Sequence, residues 1–200
     1  MKKRYLQFCG LARALDLVGE RWTLLVVREL LTGPKRFSEL MSSLSGISPN
    51  LLTLRLKAME DEEIIEKKQR RYRLTEFGWG LEPVVFSLAQ WGSQTMVGGP
   101  GPDEEMNIGW LLLSLTRAYI GGLRGVIGVT VEKRSFELSL RRERMFVRER
   151  EAVAPDVVIV APNVRAAAAV LKMGKPWAGL IEVQGNESLL GEFLGALRDG

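Results

Sequence analysis

The sequence predicts an α+β protein in two parts: a helical first half ending in a short basic β-hairpin, and a second half of mixed strands and helices. Three observations carry this. Apolar residues recur at helical spacing through most of the first 95 positions. They alternate at strand spacing beyond about residue 125. A Gly/Pro stretch, Val97-Gly98-Gly99-Pro100-Gly101-Pro102-Asp103, separates the two patterns. The expected division is residues 1–96, a linker over 97–105, and a second domain over 106–200.

In the first half, Leu11, Ala14, Leu15 and Val18 fall on one helical stripe, and Gly19 can end that helix. The run from Trp22 to Leu31 predicts a second helix, stopped by Thr32-Gly33-Pro34. Phe37, Leu40, Met41 and Leu44 share a face of a third, and Gly46-Ile47 makes a tight turn. Ser48-Pro49 predicts a helix start, because a serine oxygen can accept from an orphan N–H and proline suits the first helical position. That helix should run to about Asp61, with Leu52, Leu56 and Met59 inward. Ile64 to Lys68 and Tyr72 to Leu74 predict two short strands, and Thr75-Glu76 opens a long helix holding Leu81, Val84, Val85, Leu88 and Trp91.

In the second half, Met106 to Ile120 predicts a helix. Strands are expected over 126–131, 135–141, 144–150 and 156–160, then an Ala-rich helix from Val164 capped by Asn163. A strand over 180–184 and a last helix after Gly185-Asn186 complete an α+β layer with one sheet face covered.

Composition narrows the chemistry. The chain has 200 residues, no histidine and one cysteine, Cys9. Histidine-based catalysis and thiolate-rich metal centres are therefore excluded within one chain, and neither metal nor cofactor is expected. Glu132, Lys133, Glu137 and Glu143 are the nearest acid–base material, at expected exposed strand or turn positions, so an enzyme is the least favoured reading. No apolar run is long enough to span a bilayer and no signal peptide is evident, so a cytoplasmic protein without membrane insertion is expected. The first 95 residues hold 15 Lys+Arg against 11 Asp+Glu, whereas the remainder holds 13 of each. The net charge of +4 thus sits in the first half, which points to a polyanionic partner.

Two helices joined by a tight turn and followed by a basic hairpin have the order of a winged helix-turn-helix, whose second helix enters the DNA major groove. The residues expected to contact DNA are Lys35 and Arg36 ahead of the third helix; Ser48, Pro49, Asn50, Thr53, Arg55 and Lys57 on the fourth; and Lys67, Lys68, Arg70, Arg71 and Arg73 on the hairpin.

The stretches CGLARALDLVGERWTLLVVRELLTGPKRFSEL (9–40), GISPNLLTLRLKAMEDEEII (46–65) and YRLTEFGWGLEPVVFSLAQWG (72–92) resemble the HxlR-type family of MarR-like regulators. The resemblance implies a winged-helix fold and a homodimer on a pseudo-palindromic double-stranded DNA operator, with residues 48–57 as the recognition segment. It also implies that Cys9 is a candidate redox or electrophile sensor; the neighbouring charges of Lys2, Lys3 and Arg4 would favour its thiolate, and the alternative is a small hydrophobe buried beside the dimer interface. The sequence departs from the family in having Gly10 after the cysteine, a short wing, and Leu54 at an often polar position.

Residues 156–197, DVVIVAPNVRAAAAVLKMGKPWAGLIEVQGNESLLGEFLGAL, resemble the sterol-carrier-protein-like fold. That resemblance implies an apolar pocket for a small-molecule effector, with Trp110, Leu111, Phe136, Leu138 and Trp177 as candidate lining, or else as ordinary core. The expected function is transcription regulation, in the sense of a repressor; the alternative is an apolar-ligand carrier that uses its winged helix only for dimerisation or protein contact.

Overall fold

The computed structural model describes residues 4–96, 98, 100–101 and 103–197. Lys2, Lys3 and, from the linker, Val97, Gly99 and Pro102 lie outside the described residues. The chain divides into two compact units, Met1–Trp91 and Gly92–Gly200.

The first unit contains α1 (Gly10–Val18), α2 (Thr23–Leu31), α3 (Phe37–Ser43), α4 (Pro49–Asp61), β1 (Ile65–Lys68), β2 (Arg71–Leu74), α5 (Glu76–Trp79) and α6 (Glu82–Ser93). Its core is assembled from one stripe of each element. Val26, Val27 and Leu30 of α2 meet Leu40 of α3, Leu52, Leu56 and Met59 of α4, and Ile64 and Ile65 at the hairpin base, all nearly or fully enclosed. The N-terminus of α4 forms as its sequence predicts: Ser48 Oγ accepts from the Leu51 amide, and Pro49 takes the first helical position.

The long helix expected from Glu76 is two helices. Leu81 lies between α5 and α6, and its amide donates to the Gly78 carbonyl. Pro83 explains the break: it has no N–H and clashes with a preceding helical turn, so it is tolerated in the first turn of α6 but not inside one continuous helix. Of the apolar residues assigned to this stretch, only Val85 is buried.

The second unit contains α7 (Ile108–Ala118), β3 (Arg124–Val131), β4 (Arg134–Arg141), β5 (Arg144–Arg148), β6 (Val157–Ala161), α8 (Val164–Leu171), β7 (Glu182–Gly185) and α9 (Glu187–Gly195). The sheet order is β5-β4-β3-β6-β7. Only β3 and β6 pair in parallel; the other neighbours are antiparallel. Ile127, Val129 and Val131 of β3, Phe136, Leu138 and Leu140 of β4, Met145 and Val147 of β5, and Val157 and Ile159 of β6 all point to one face. The helices cover that face: Gly109 of α7 lies against the Phe136 ring, Leu189 of α9 lies against Gly125, and the Tyr119 and Phe193 rings meet 6.2 Å apart.

The opposite face is crossed by a strap, residues 149–155. Glu137, expected at an exposed position, is instead enclosed beneath it, 3 % exposed. Its carboxylate accepts from Arg150 Nη2 at 2.7 Å, Ser139 Oγ at 3.0 Å and the Val153 amide at 3.4 Å. The hydrogen bond from Arg150, aided by those from Ser139 and Val153, holds the Glu137 carboxyl below the ordinary carboxylate range despite the opposing effect of burial. A carboxylate held ionised in this way serves the fold and is unsuited to general acid work.

Candidate nucleic-acid interface

The first unit places a capped helix beside a basic hairpin. On α4, Asn50, Thr53, Leu54 and Lys57 are exposed, and Leu54 is 66 % exposed. Thr53 Oγ1 donates back to the Pro49 carbonyl at 2.9 Å, which orients its hydroxyl along the helix. Ser48 and Pro49 are exposed at the helix start.

The hairpin turns on Gln69 and Arg70, both with positive φ (49° and 63°). Positive φ at both central residues is the signature of the tight turn that matches strand twist, and glycine or asparagine usually fills it. Here a glutamine and an arginine do, so Arg70 projects from the tip. Lys67, Lys68 and Arg70 are exposed, and the Lys67 ammonium lies 5.0 Å from the Tyr72 ring centroid.

Four expected contact residues are placed differently. Lys35 is 5 % exposed. It pairs with Tyr72 through both backbone bonds, Lys35 N to Tyr72 O at 2.9 Å and Tyr72 N to Lys35 O at 2.7 Å, adding a bridge to the hairpin sheet. Its side chain is buried in the first unit. Arg55 points back to Glu20, Nη2 to Oε2 at 3.1 Å, and its Nε is buried without a hydrogen-bond partner. Arg71 is half-buried and donates to the Pro34 carbonyl at 3.0 Å and Glu39 Oε2 at 3.1 Å, tying the wing to the start of α3. Arg73 pairs with Glu66 directly across the hairpin at 2.7 Å. These last three are positioning residues. Arg36 remains exposed, while its backbone amide donates to the Glu39 carboxylate.

The positioning carboxylates Glu20, Glu39 and Glu66 are absent from the sequence-derived set. Glu66 was legible in principle: a two-residue turn at 69–70 puts 66 opposite 73. Glu20 and Glu39 left no such signal, since their partners lie 35 and 32 residues away.

Cys9 is exposed in the single chain, at the N-cap position of α1. In the second unit, Phe136 and Leu138 are wholly enclosed by protein atoms. Their burial is that of ordinary core, the alternative the sequence left open for them. Trp110, Leu111 and Trp177 are half-buried. Among the described residues no helix is long and apolar enough to cross a membrane, and no group of acidic and cysteine side chains is placed to hold a metal ion.

A helix pair whose second member is capped and exposed at its N-terminus, followed at once by a basic hairpin, defines the winged helix-turn-helix class. Comparison with known proteins gives the family. Residues 17–98 match the family model described as HxlR-like helix-turn-helix. The chain is 35% identical over 99 residues to the HTH-type transcriptional regulator YodB of Bacillus subtilis, covering 46% of this chain and 88% of that protein. It is 37% identical over 104 residues to an uncharacterized HTH-type transcriptional regulator of Mycobacterium tuberculosis, covering 48% of this chain and 65% of that protein, so it spans just under two thirds of that relative. Among solved structures, quinone-bound YodB from B. subtilis matches at 38% identity over 42% of this chain and 96% of that one, with a TM-score of 0.40. The chain belongs to the HxlR-like helix-turn-helix family of transcriptional regulators.

Proposed function

We propose that the protein represses transcription as a homodimer that reads a pseudo-palindromic operator. The observation that carries this reading is the pairing of an exposed, Ser48-capped α4 with a wing whose tip presents Lys68 and Arg70. Asn50 and Lys57 are suited to adenine and guanine acceptors, and Leu54 to a thymine methyl group. Lys67, Lys68, Arg70 and Arg36 meet phosphates. The test is a titration against DNA from upstream of its own coding sequence and a scrambled duplex, at two salt concentrations. Tight, sequence-preferring binding that is lost in Lys68→Ala/Arg70→Ala supports the reading. Equal weak binding to both duplexes, with no site recovered by genome-wide selection, removes it in favour of the carrier alternative.

Dimerisation is supported by apolar side chains that the single chain leaves in water. Leu6 is 92 % and Trp91 71 % exposed, and Tyr5, Phe8, Leu11 and Leu88 are exposed as well. A symmetric pair of readers supplies the two half-sites.

Two inputs complete the reading. The exposed Cys9 thiol is open to electrophiles, and alkylation followed by mass spectrometry, compared with Cys9→Ser, tests whether its modification releases DNA. The second unit is a sterol-carrier-like sensor of an apolar effector. Its helix, three strands, strand, helix, strand and helix in that order support this assignment, with Trp110, Leu111 and Trp177 as the remaining candidate lining. Titration with a long-chain fatty acid, read by tryptophan fluorescence and by DNA release, checks it; no response in either overturns it.

A further inference from the structure

The helix-free face of the second unit carries an arrangement that folding alone disfavours. In the sheet register Arg124 of β3 stands opposite Arg141 of β4, and Arg141 stands opposite Arg144 of β5. Like charges directly opposite on neighbouring strands are destabilising. All three arginines are exposed, and they lie on the face away from Leu140 and Met145. Arg148, two strand repeats beyond Arg144, extends the same face, and Arg142 occupies the adjoining turn. Among the described residues no ion pair reaches Arg124, Arg141, Arg142 or Arg148. Glu137 stands opposite Arg148 and Glu143 lies in the turn, yet arginine outnumbers carboxylate on this face of a unit whose sequence is neutral overall.

The guanidinium groups are also held in place. Arg141 and Arg144 lie over the half-buried Phe146 ring at 5.5 and 5.3 Å from its centroid. Stacking fixes their planes, and among the described residues no ion pair engages Arg141. The turn that carries them is anchored from outside: the Gly122 amide donates to the Arg142 carbonyl, and at Gly121 (φ +90°) a Cβ would come within 2.5 Å of the same oxygen. Charged side chains on an edge strand commonly serve only to block edge-to-edge pairing. That role can apply to β5, but β3 and β4 are interior strands, so it does not account for Arg124 or Arg141.

We propose that this face is a second phosphate-contacting surface of the chain, fitted to the backbone of double-stranded DNA. The proposal rests on the regulator reading, which brings a polyanion to the protein. With strands about 4.8 Å apart, a row of three arginines spans roughly 10 Å. That suits a repeating anion better than a single one. Contacts of this kind add affinity without reading sequence.

The test uses the full-length protein and a random-sequence duplex of about 40 base pairs, with binding followed by fluorescence anisotropy across a salt series. The variants are Arg124→Gln/Arg141→Gln/Arg144→Gln on this face and Lys68→Ala/Arg70→Ala on the wing. The expected result is an affinity loss of about tenfold or more for the triple variant at low salt. Its log–log salt slope should become shallower by about 0.9 for each phosphate contact removed. Its melting temperature should not fall, because the cross-strand repulsion is gone. The single variants Arg124→Gln and Arg148→Gln, each with a smaller change of slope, keep the test intact should the triple variant fold poorly. A folded face variant with wild-type affinity and slope, beside a wing variant that loses binding, overturns this proposal and leaves the regulator reading standing. Absence of duplex binding by the wild-type protein at every salt concentration removes both.

Discussion

Arg70 illustrates how one backbone angle places a charge. In the left-handed region a side chain crowds the carbonyl, at roughly 1–2 kcal/mol per residue, and both Gln69 and Arg70 sit there. The cost is local, and among the described residues no hydrogen bond or ion pair holds Arg70 at that tip; the proposed phosphate contact would give the charge its role there. Arg70→Gly should therefore raise stability by about 1 kcal/mol while weakening DNA binding, as read by thermal melting and anisotropy on the same preparation. A variant that gains stability and keeps full affinity would remove Arg70 from the interface. Arg71, its neighbour, behaves oppositely: its bonds to Pro34 and Glu39 make it a strut, so its loss should loosen the wing rather than delete a contact.

At the scale of elements, close approach and pairing decide what sequence pattern leaves open. Gly78 of α5 packs so tightly on Ile64, just before β1, and on Leu74 of β2 that a Cβ would fall 2.0 Å from the Ile64 carbonyl oxygen. Backbone cannot yield cheaply, so Gly78→Ala should destabilise the first unit by about 2 kcal/mol or more, measured by chemical denaturation. In the second unit the strap over the sheet is held by Glu137. Its carboxyl is depressed in the folded state, so the stabilisation it contributes is present above its unfolded value, near 4.3, and is lost as pH falls through the lower folded value. Arg150→Ala should cost about 1–2 kcal/mol at neutral pH, a figure discounted because Arg150 is half exposed. The difference from wild type should shrink in acid, once Glu137 is protonated in both proteins. An unchanged difference across that range would show that the strap is held by packing instead.

For the whole molecule the decisive prediction is assembly. Leu6, Phe8 and Trp91 lie largely in water in one chain. Sedimentation equilibrium should give twice the chain mass, and Phe8→Ser/Trp91→Ser should shift it toward the monomer and lower operator affinity together. A wild-type monomer would require another partner for that apolar surface.

Much of this architecture was legible beforehand. The start of α4 at Ser48-Pro49, its end at Asp61, the hairpin between Lys68 and Arg71, and the succession of seven strands and most of the helices around them follow from local signals, although the break between α5 and α6 was not anticipated. Capping chemistry, proline and glycine, and apolar periods of 3.6 or 2 residues act within a few positions of one another. The same local rules mark which residues are basic, and so which face of α4 and which turn should meet an anion. They do not say where a long cation goes. Lys35 was drawn inward by a backbone bridge to Tyr72, and Arg55 was claimed by Glu20 across 35 positions. Arg124, Arg141 and Arg144 became one row because β3, β4 and β5 paired in that register. Such outcomes depend on which distant segments pack together, and that is settled by burial of the whole core, which no short window of the chain contains.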